Sequence, residues 1–293
     1  MQVIDKKVYG DNQFFGINHR SQDKAEQLAE RFSDIHEILR TYEVAIDCGV
    51  HAIMLNSNQR AYEITDFFKA NQKKYGDIAW YPSIPYPHKY ANMLLEKGLF
   101  QVIDEVIMKN NTGFGVMKMI GSGAWAALNK DALKLMELLV DAEVSMFKGL
   151  DVKVIFIQNV ITDLLLGYGF KDIFKSYCDL IRKKYHALPG FITLNLPYLL
   201  NKLKEWDIEE AVVCSSINKI GFNMNPSLDA YLEAIQHNDP SKYQIMAMSS
   251  LASGAIPPQE AFDFVNGLNI QSVVFGASSE KNIKSSLSLI NLP

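Results

Sequence analysis

A closed (β/α)8 barrel is the fold class that this sequence predicts, on three observations. Short apolar runs alternate with longer amphipathic stretches along the chain, the rhythm of a parallel sheet with crossover helices. The residues that follow those runs are mostly amides and hydroxyls, as expected at the loop-bearing face of a barrel. The last run, Ser272-Val273-Val274-Phe275, leads into Gly276-Ala277-Ser278-Ser279-Glu280, a strand ending at a helix start. Backbone N–H groups at such a start, with the helix dipole behind them, attract phosphate.

The strand candidates, in order, are 8–16, 51–56, 78–83, 114–120, 152–158, 190–195, 211–216, 244–249 and 272–276. The first opens on Val8-Tyr9 and runs to Gly16, and the second is the run Ala52-Ile53-Met54-Leu55. The third, Ile78-Ala79-Trp80-Tyr81, leaves through Pro82, Pro85 and Pro87, whose fixed φ makes a rigid exit flanked by Tyr86 and His88. The fourth is built on Val116-Met117-Lys118-Met119, and the fifth on Val154-Ile155-Phe156-Ile157. Phe191-Ile192-Thr193, Val212-Val213-Cys214 and Ile245-Met246-Ala247 carry the next three. Helices are expected at 24–47, 90–109, 131–147, 171–185, 227–236 and 258–266.

Nine strands are one too many for the barrel. The stretch 112–145 reads as an added strand–helix element, which puts 114–120 outside the ring; a displaced N-terminal strand is the alternative. No linker or low-complexity stretch divides the chain, so residues 1–293 are expected to form one domain.

Hydrophobic residues make up 48% of the chain and charged ones 21%, enough for a large core. A net charge of −4 gives no basic excess for a nucleic-acid partner. Three cysteines, Cys48, Cys178 and Cys214, lie far apart without metal-ligand spacing and read as reduced thiols of a cytoplasmic protein. The start, Met1-Gln2-Val3-Ile4-Asp5, lacks a basic and apolar leader, and no apolar run is long enough to span a membrane.

Barrel active sites are built at the C-terminal ends of the strands. Those positions hold Asn12, Asn56, Ser83, Gln158, Asn195, Asn225, Ser249, Ser250, Gly276, Ser278 and Ser279, with Ser215 and Ser216 beside them. Acids such as Asp11 and Asp163 read as marginal to this rim, so paired-carboxylate hydrolysis is not indicated. His19 and His88 alone do not make a metal set, and no metal is expected. Neutral hydrogen-bonding groups suit a polar small-molecule ligand instead.

The segment from Gly10 to Ser21 concentrates further signals: two glycines, Asn12, His19 and Arg20. His19 there suits a general base or a substrate donor. The plainer alternative is a loop in which Phe14 and Phe15 plug the barrel mouth and Ser21 caps the next helix.

The second half of the chain resembles the aldo-keto reductase superfamily. Gly190-Phe191-Ile192-Thr193-Leu194-Asn195-Leu196 is similar to the family's Gly-Val-Ser-Asn-Phe strand, and Phe222-Asn223-Met224-Asn225-Pro226 to its Tyr-Asn-Pro segment. The stretch 244–253 resembles Tyr-Ser-Pro-Leu-Ala, and 274–279 the closing Ile-Pro-Gly-Ala-Ser-Ser. Ala45-Ile46-Asp47-Cys48-Gly49-Val50 is similar to the sequence that precedes the family's second strand. The resemblance implies an aldo-keto-reductase-like TIM barrel, an oxidoreductase activity, and NADP or NAD held by its phosphates near Ser249, Ser250, Gly276, Ser278 and Ser279.

The family's catalytic Asp, Tyr, Lys and His fall on Met54, Gln59, Ser83 and Gln158. Carbonyl reduction of the usual kind then lacks its proton donor. Lys118 offers a replacement if 114–120 is instead the third strand of the ring, because 116–119 also resembles the family's lysine-bearing strand and burial in an apolar strand lowers a lysine's pKa; the alternative is a lysine reaching from a peripheral strand to solvent. Lys118 and His19 are therefore the catalytic candidates. The expectation is a divergent NAD(P)-linked oxidoreductase; the alternatives are a lyase or isomerase of a phosphorylated metabolite, or a catalytically silent ligand-binding barrel.

Overall fold

In the computed structural model of the chain, the structure describes residues 1–15, 22–58, 60–85 and 125–293. Its strands are β1 (Lys7–Tyr9), β2 (Ala52–Asn56), β3 (Ala79–Ile84), β4 (Asp151–Val152), β5 (Val154–Ile157), β6 (Leu188–Thr193), β7 (Ala211–Ser216), β8 (Tyr243–Met248) and β9 (Ser272–Phe275). All pairings are parallel. The order β2-β1-β9-β8-β7-β6-β5-β3 closes on itself through β2 against β3, giving a ring of eight.

The extra strand is β4, which pairs with β3 just below β5. Ala79 and Trp80 face Asp151 and Val152, whereas Ser83 and Ile84 face Phe156 and Ile157. The register slips by one residue across Lys153, which makes β4 and β5 one bulged path along β3. The ring closes with the eight other predicted strands; 114–120, the segment expected to stand outside it, and the helix expected at 90–109 lie outside the described residues.

Four expected boundaries change. The first strand ends at Tyr9, because the chain turns at Gly10 and forms a short 3-10 turn at Asn12–Phe15, with the Phe14 N–H on the Asp11 carbonyl at 2.9 Å. The single helix expected at 24–47 is two, Gln22–Arg31 and Ile35–Asp47. Asp34 breaks it by accepting from the His36 N–H at 2.9 Å, an N-cap that starts the second helix afresh. The helix expected at 131–147 runs from Trp125 to Val144, and that expected at 171–185 is regular only over Lys171–Leu180, followed by a wider turn at Ile181–Tyr185.

Alternation along each strand divides the apolar residues into two cores. Val8, Ala52, Met54, Ala79, Tyr81, Val154, Phe156, Leu188, Ile192, Val212, Cys214 and Met246 fill the ring. Their outward neighbours, such as Tyr9, Ile53, Trp80, Ile155, Phe191 and Val213, pack against the helices. Phe14 belongs to this outer core, with ring centroids 4.9 Å from both Phe32 and Tyr42. It therefore does not plug the mouth.

The N-terminal segment seals the ring's lower end. Gln244 accepts from the Ile4 N–H at 2.9 Å and donates to the Gln2 carbonyl at 2.6 Å, and Ser272 donates to the Asp5 carbonyl at 2.6 Å. The Asp5 carboxylate accepts from the Tyr81 hydroxyl at 2.6 Å and lies 3.4 Å from Lys153 Nζ. Polar side chains that would be stranded inside the barrel are thereby satisfied. With the floor closed, the C-terminal strand ends are where a ligand site is sought.

Candidate functional site

The period of two that fills the barrel also decides which residues form its uppermost layer. Two positions beyond Val8, Met54, Tyr81, Phe156, Cys214 and Val274 stand Gly10, Asn56, Ser83, Gln158, Ser216 and Gly276. The strand end of β2 is thus Asn56, with Met54 one layer deeper in the apolar interior.

Asp11, read from sequence as marginal, is only 2% exposed and bonded into this layer through Asn56. The Asn56 backbone N–H donates to its Oδ2 at 2.8 Å, and Asn56 Nδ2 donates to its Oδ1 at 2.6 Å. Gln158 Nε2 donates in turn to Asn56 Oδ1, so that three side chains from β1, β2 and β5 form one chain of hydrogen bonds. Burial outweighs these donors and pushes the Asp11 carboxyl up to about 7. Tyr42, whose hydroxyl is buried without a partner nearby, is pushed up by burial first and by the Asp11 charge second.

Four further polar atoms in or beside the layer are buried without a hydrogen-bond partner: Ser83 Oγ, Ser216 Oγ, Ser250 Oγ and Gln13 Oε1. Unmade hydrogen bonds cost about 1–3 kcal/mol each, so this cluster among the described residues is a concentrated cost at one barrel end. Ser216 is distinguished from Ser215 by strand parity. Ser215 instead donates to the Thr193 carbonyl at 2.7 Å and contacts the Tyr231 hydroxyl on the helix side.

The turn after β9 is held by its carbonyls. The Tyr9 hydroxyl donates to the Ala277 carbonyl, and Arg31 Nη1 donates to the Ser278 carbonyl at 2.8 Å. Because a trans peptide directs its N–H opposite to its C=O, the Ser278 N–H points away from Tyr9 and the Ser279 N–H away from Arg31. Among the described residues neither N–H has a backbone acceptor. Ser279 Oγ accepts from the Asn282 N–H at 3.4 Å and caps the helix Glu280–Leu289, so its hydroxyl is already in use. Gly276 is required by Gln13, since a Cβ there would clash with Gln13 Oε1 while Gln13 Nε2 is anchored on the Gly10 carbonyl at 2.7 Å.

The remaining rim candidates are engaged locally or exposed. Asn195 caps the helix Leu196–Glu205 by accepting from the Tyr198 N–H at 3.3 Å. Asn12, Asn225 and Ser249 are exposed, Ser249 in a left-handed conformation with φ 56°. Asp163 is spent on the β6 exit, accepting from Thr193 Oγ1 and from the Leu194 N–H at 3.0 Å. His19, Gln59, Tyr86, His88 and Lys118 lie outside the described residues. No group of three or more His, Cys, Asp or Glu among the described residues could hold a metal ion. No helix of theirs is long and apolar enough to cross a membrane.

What the sequence could have shown is parity: counting by twos from Met54, Phe156 and Cys214 reaches Asn56, Gln158 and Ser216. Asp11 carries no such signal, because β1 is only three residues long and its partner Asn56 is 45 residues away.

The nicotinamide cofactor that the sequence resemblance implies fits the chemistry of this layer. The orphaned hydroxyls of Ser83, Ser216 and Ser250 offer unsatisfied polar groups, and the Ala277–Ser279 turn offers N–H donors on the side opposite to its tethered carbonyls.

No family model and no curated protein matches the sequence. Solved structures do match in fold. A presumed aldo-keto reductase from Pseudomonas aeruginosa superposes with a TM-score of 0.61 at 11% identity, covering 98% of this chain and 90% of that one. An aldo-keto reductase from a Medee basin deep-sea metagenome library gives 0.54 at 12% identity over 100% and 86% of the two chains. The holo form of an aldo-keto reductase from Bacillus halodurans gives 0.52 at 11% over 98% and 87%. The fold of this chain is the parallel eight-stranded barrel also seen in these aldo-keto reductases.

Proposed function

We propose that the protein is an NAD(P)-linked oxidoreductase that holds a phosphate of its cofactor on the turn after β9. One observation carries the reading: the carbonyls of Ala277 and Ser278 are tied down by Tyr9 and Arg31, which turns the Ser278 and Ser279 N–H groups the other way, free at a helix start. Oriented N–H groups at a helix start suit a phosphate, and Arg31 acts by holding the turn that aims them. The bound nicotinamide would supply hydride transfer. Ser83, Ser216 and Ser250 would bind polar parts of the ligand and so regain the hydrogen bonds they lack. Lys118 and His19 remain the candidates for moving the proton.

A catalytically silent scaffold is the weaker reading. Such a protein has no reason to keep a buried carboxylate and several orphaned hydroxyls in one layer, because each lowers its stability.

Titration calorimetry with NADPH and NADH tests the proposal. Saturable binding is expected, weakened roughly tenfold by Arg31→Ala and less by Arg31→Lys, which keeps the charge but not the planar fork. Absence of binding by both nucleotides at millimolar concentration would overturn it.

A further inference from the structure

The chain Asp11–Asn56–Gln158 has a direction. Both Asp11 oxygens accept from Asn56, Oδ2 from its backbone N–H and Oδ1 from its Nδ2. A carboxylate has no hydrogen to give, so the Asn56 amide must turn its nitrogen toward Asp11 and its oxygen the other way. That oxygen can only accept, and it takes the Gln158 Nε2 hydrogen. The nitrogen end of the Gln158 amide is therefore committed to Asn56, and the oxygen end faces away from it. Gln158 Oε1 has no hydrogen-bond partner among the described residues, at the strand end where the helix Asn159–Gly167 begins.

We propose that Asp11 and Asn56 act as positioning residues that fix Gln158 Oε1 as an acceptor at the barrel mouth, so that the site selects a hydroxyl-bearing substrate over the corresponding ketone. A ketone brings only an acceptor and would face Oε1 oxygen to oxygen, whereas an alcohol donates to it. Without Asp11 as an obligate acceptor, both amides are free to reverse, and Gln158 can then present N–H instead. The inference rests on reading this end of the barrel as the substrate site. It does not rest on the cofactor, and its test contains none, so failure of nucleotide binding and failure of this selection are separate results.

The experiment is a chemical-shift titration of the full-length protein with cyclohexanol and with cyclohexanone, probes matched in shape, at about pH 8.5, above the titration of Asp11. The signals followed are the side-chain amides of Asn56 and Gln158. The alcohol is expected to bind roughly threefold to tenfold more tightly than the ketone, the worth of one hydrogen bond. Asp11→Asn should bring the ratio toward one by releasing the direction, and Gln158→Met should do the same by removing the acceptor while keeping the volume. A loss of fold would move both affinities together and leave the ratio alone, and because Gln158→Met retains the Asp11–Asn56 pair, it gives a second variant if Asp11→Asn does not fold. Equal or reversed preference in the unmodified protein, a preference that survives Gln158→Met, or no perturbation by either probe up to its solubility would each overturn the proposal.

Discussion

Asn56 holds both oxygens of Asp11 at once, with its backbone N–H 2.8 Å from Oδ2 and its side-chain nitrogen 2.6 Å from Oδ1. Even so, burial lifts the carboxyl from an ordinary 3.8 to about 7. Between those values the folded chain binds more protons than the unfolded one, so this group makes stability fall as pH rises through about 4 to 7, with no further loss above. Asp11→Asn should remove that slope. Urea unfolding of both proteins at several pH values between about 5 and 8 is expected to move the stability difference toward the variant by a few kcal/mol. A constant difference across the range would show that Asp11 is not titrating there.

The orphaned hydroxyls predict opposite effects on stability and on binding. Ser83 and Ser216 are each about 1% exposed, and their Oγ atoms have no partner. Ser83→Ala and Ser216→Ala should each leave stability unchanged or raise it by about 1 kcal/mol, because a desolvated group is removed and no hydrogen bond is lost. The same substitutions should weaken nucleotide or substrate binding. Thermal melts with and without NADPH separate the two effects.

The floor predicts the reverse. Tyr81 donates to the Asp5 carboxylate at 2.6 Å and accepts from the Asp5 N–H at 2.9 Å. Tyr81→Phe strands both groups beneath the ring and should cost about 1–3 kcal/mol by denaturant unfolding. Lys153→Met, which breaks a partly exposed ion pair to the same carboxylate, should cost less than about 1 kcal/mol.

Gly276 and Gln13 form a coupled pair. Gly276→Ala drives a methyl into Gln13 Oε1, whose side chain cannot swing away without releasing the Gly10 carbonyl. The expected loss is about 1–3 kcal/mol, and adding Gln13→Ala should recover part of it. An additive double variant would show that the two residues do not press on each other.

Much of the barrel is legible in the sequence because each ring strand is an apolar run with a polar residue where it leaves the core. Phe191-Ile192-Thr193 and Val212-Val213-Cys214 are read correctly for that reason, and the similarity of 190–196 and 274–279 to known strands places them in order. Local pattern fails where a distant residue decides the outcome. Phe14 looks like a mouth plug until Phe32 and Tyr42 are brought beside it from helices that the sequence reading ran together across Asp34. Asp11 looks like a loop acid until closure of the ring sets β1 beside β2. The bulge at Lys153 leaves no composition signal, since it appears only in the register against β3.

The cofactor site is tested most directly by the backbone amide signals of residues 277–280 in the nitrogen–proton spectrum during a titration with NADPH. The account predicts that the Ser278 and Ser279 amides shift in a saturable way and that inorganic phosphate at higher concentration moves the same signals in the same direction. Amides that stay unmoved at millimolar NADPH, while the protein remains folded, would contradict it.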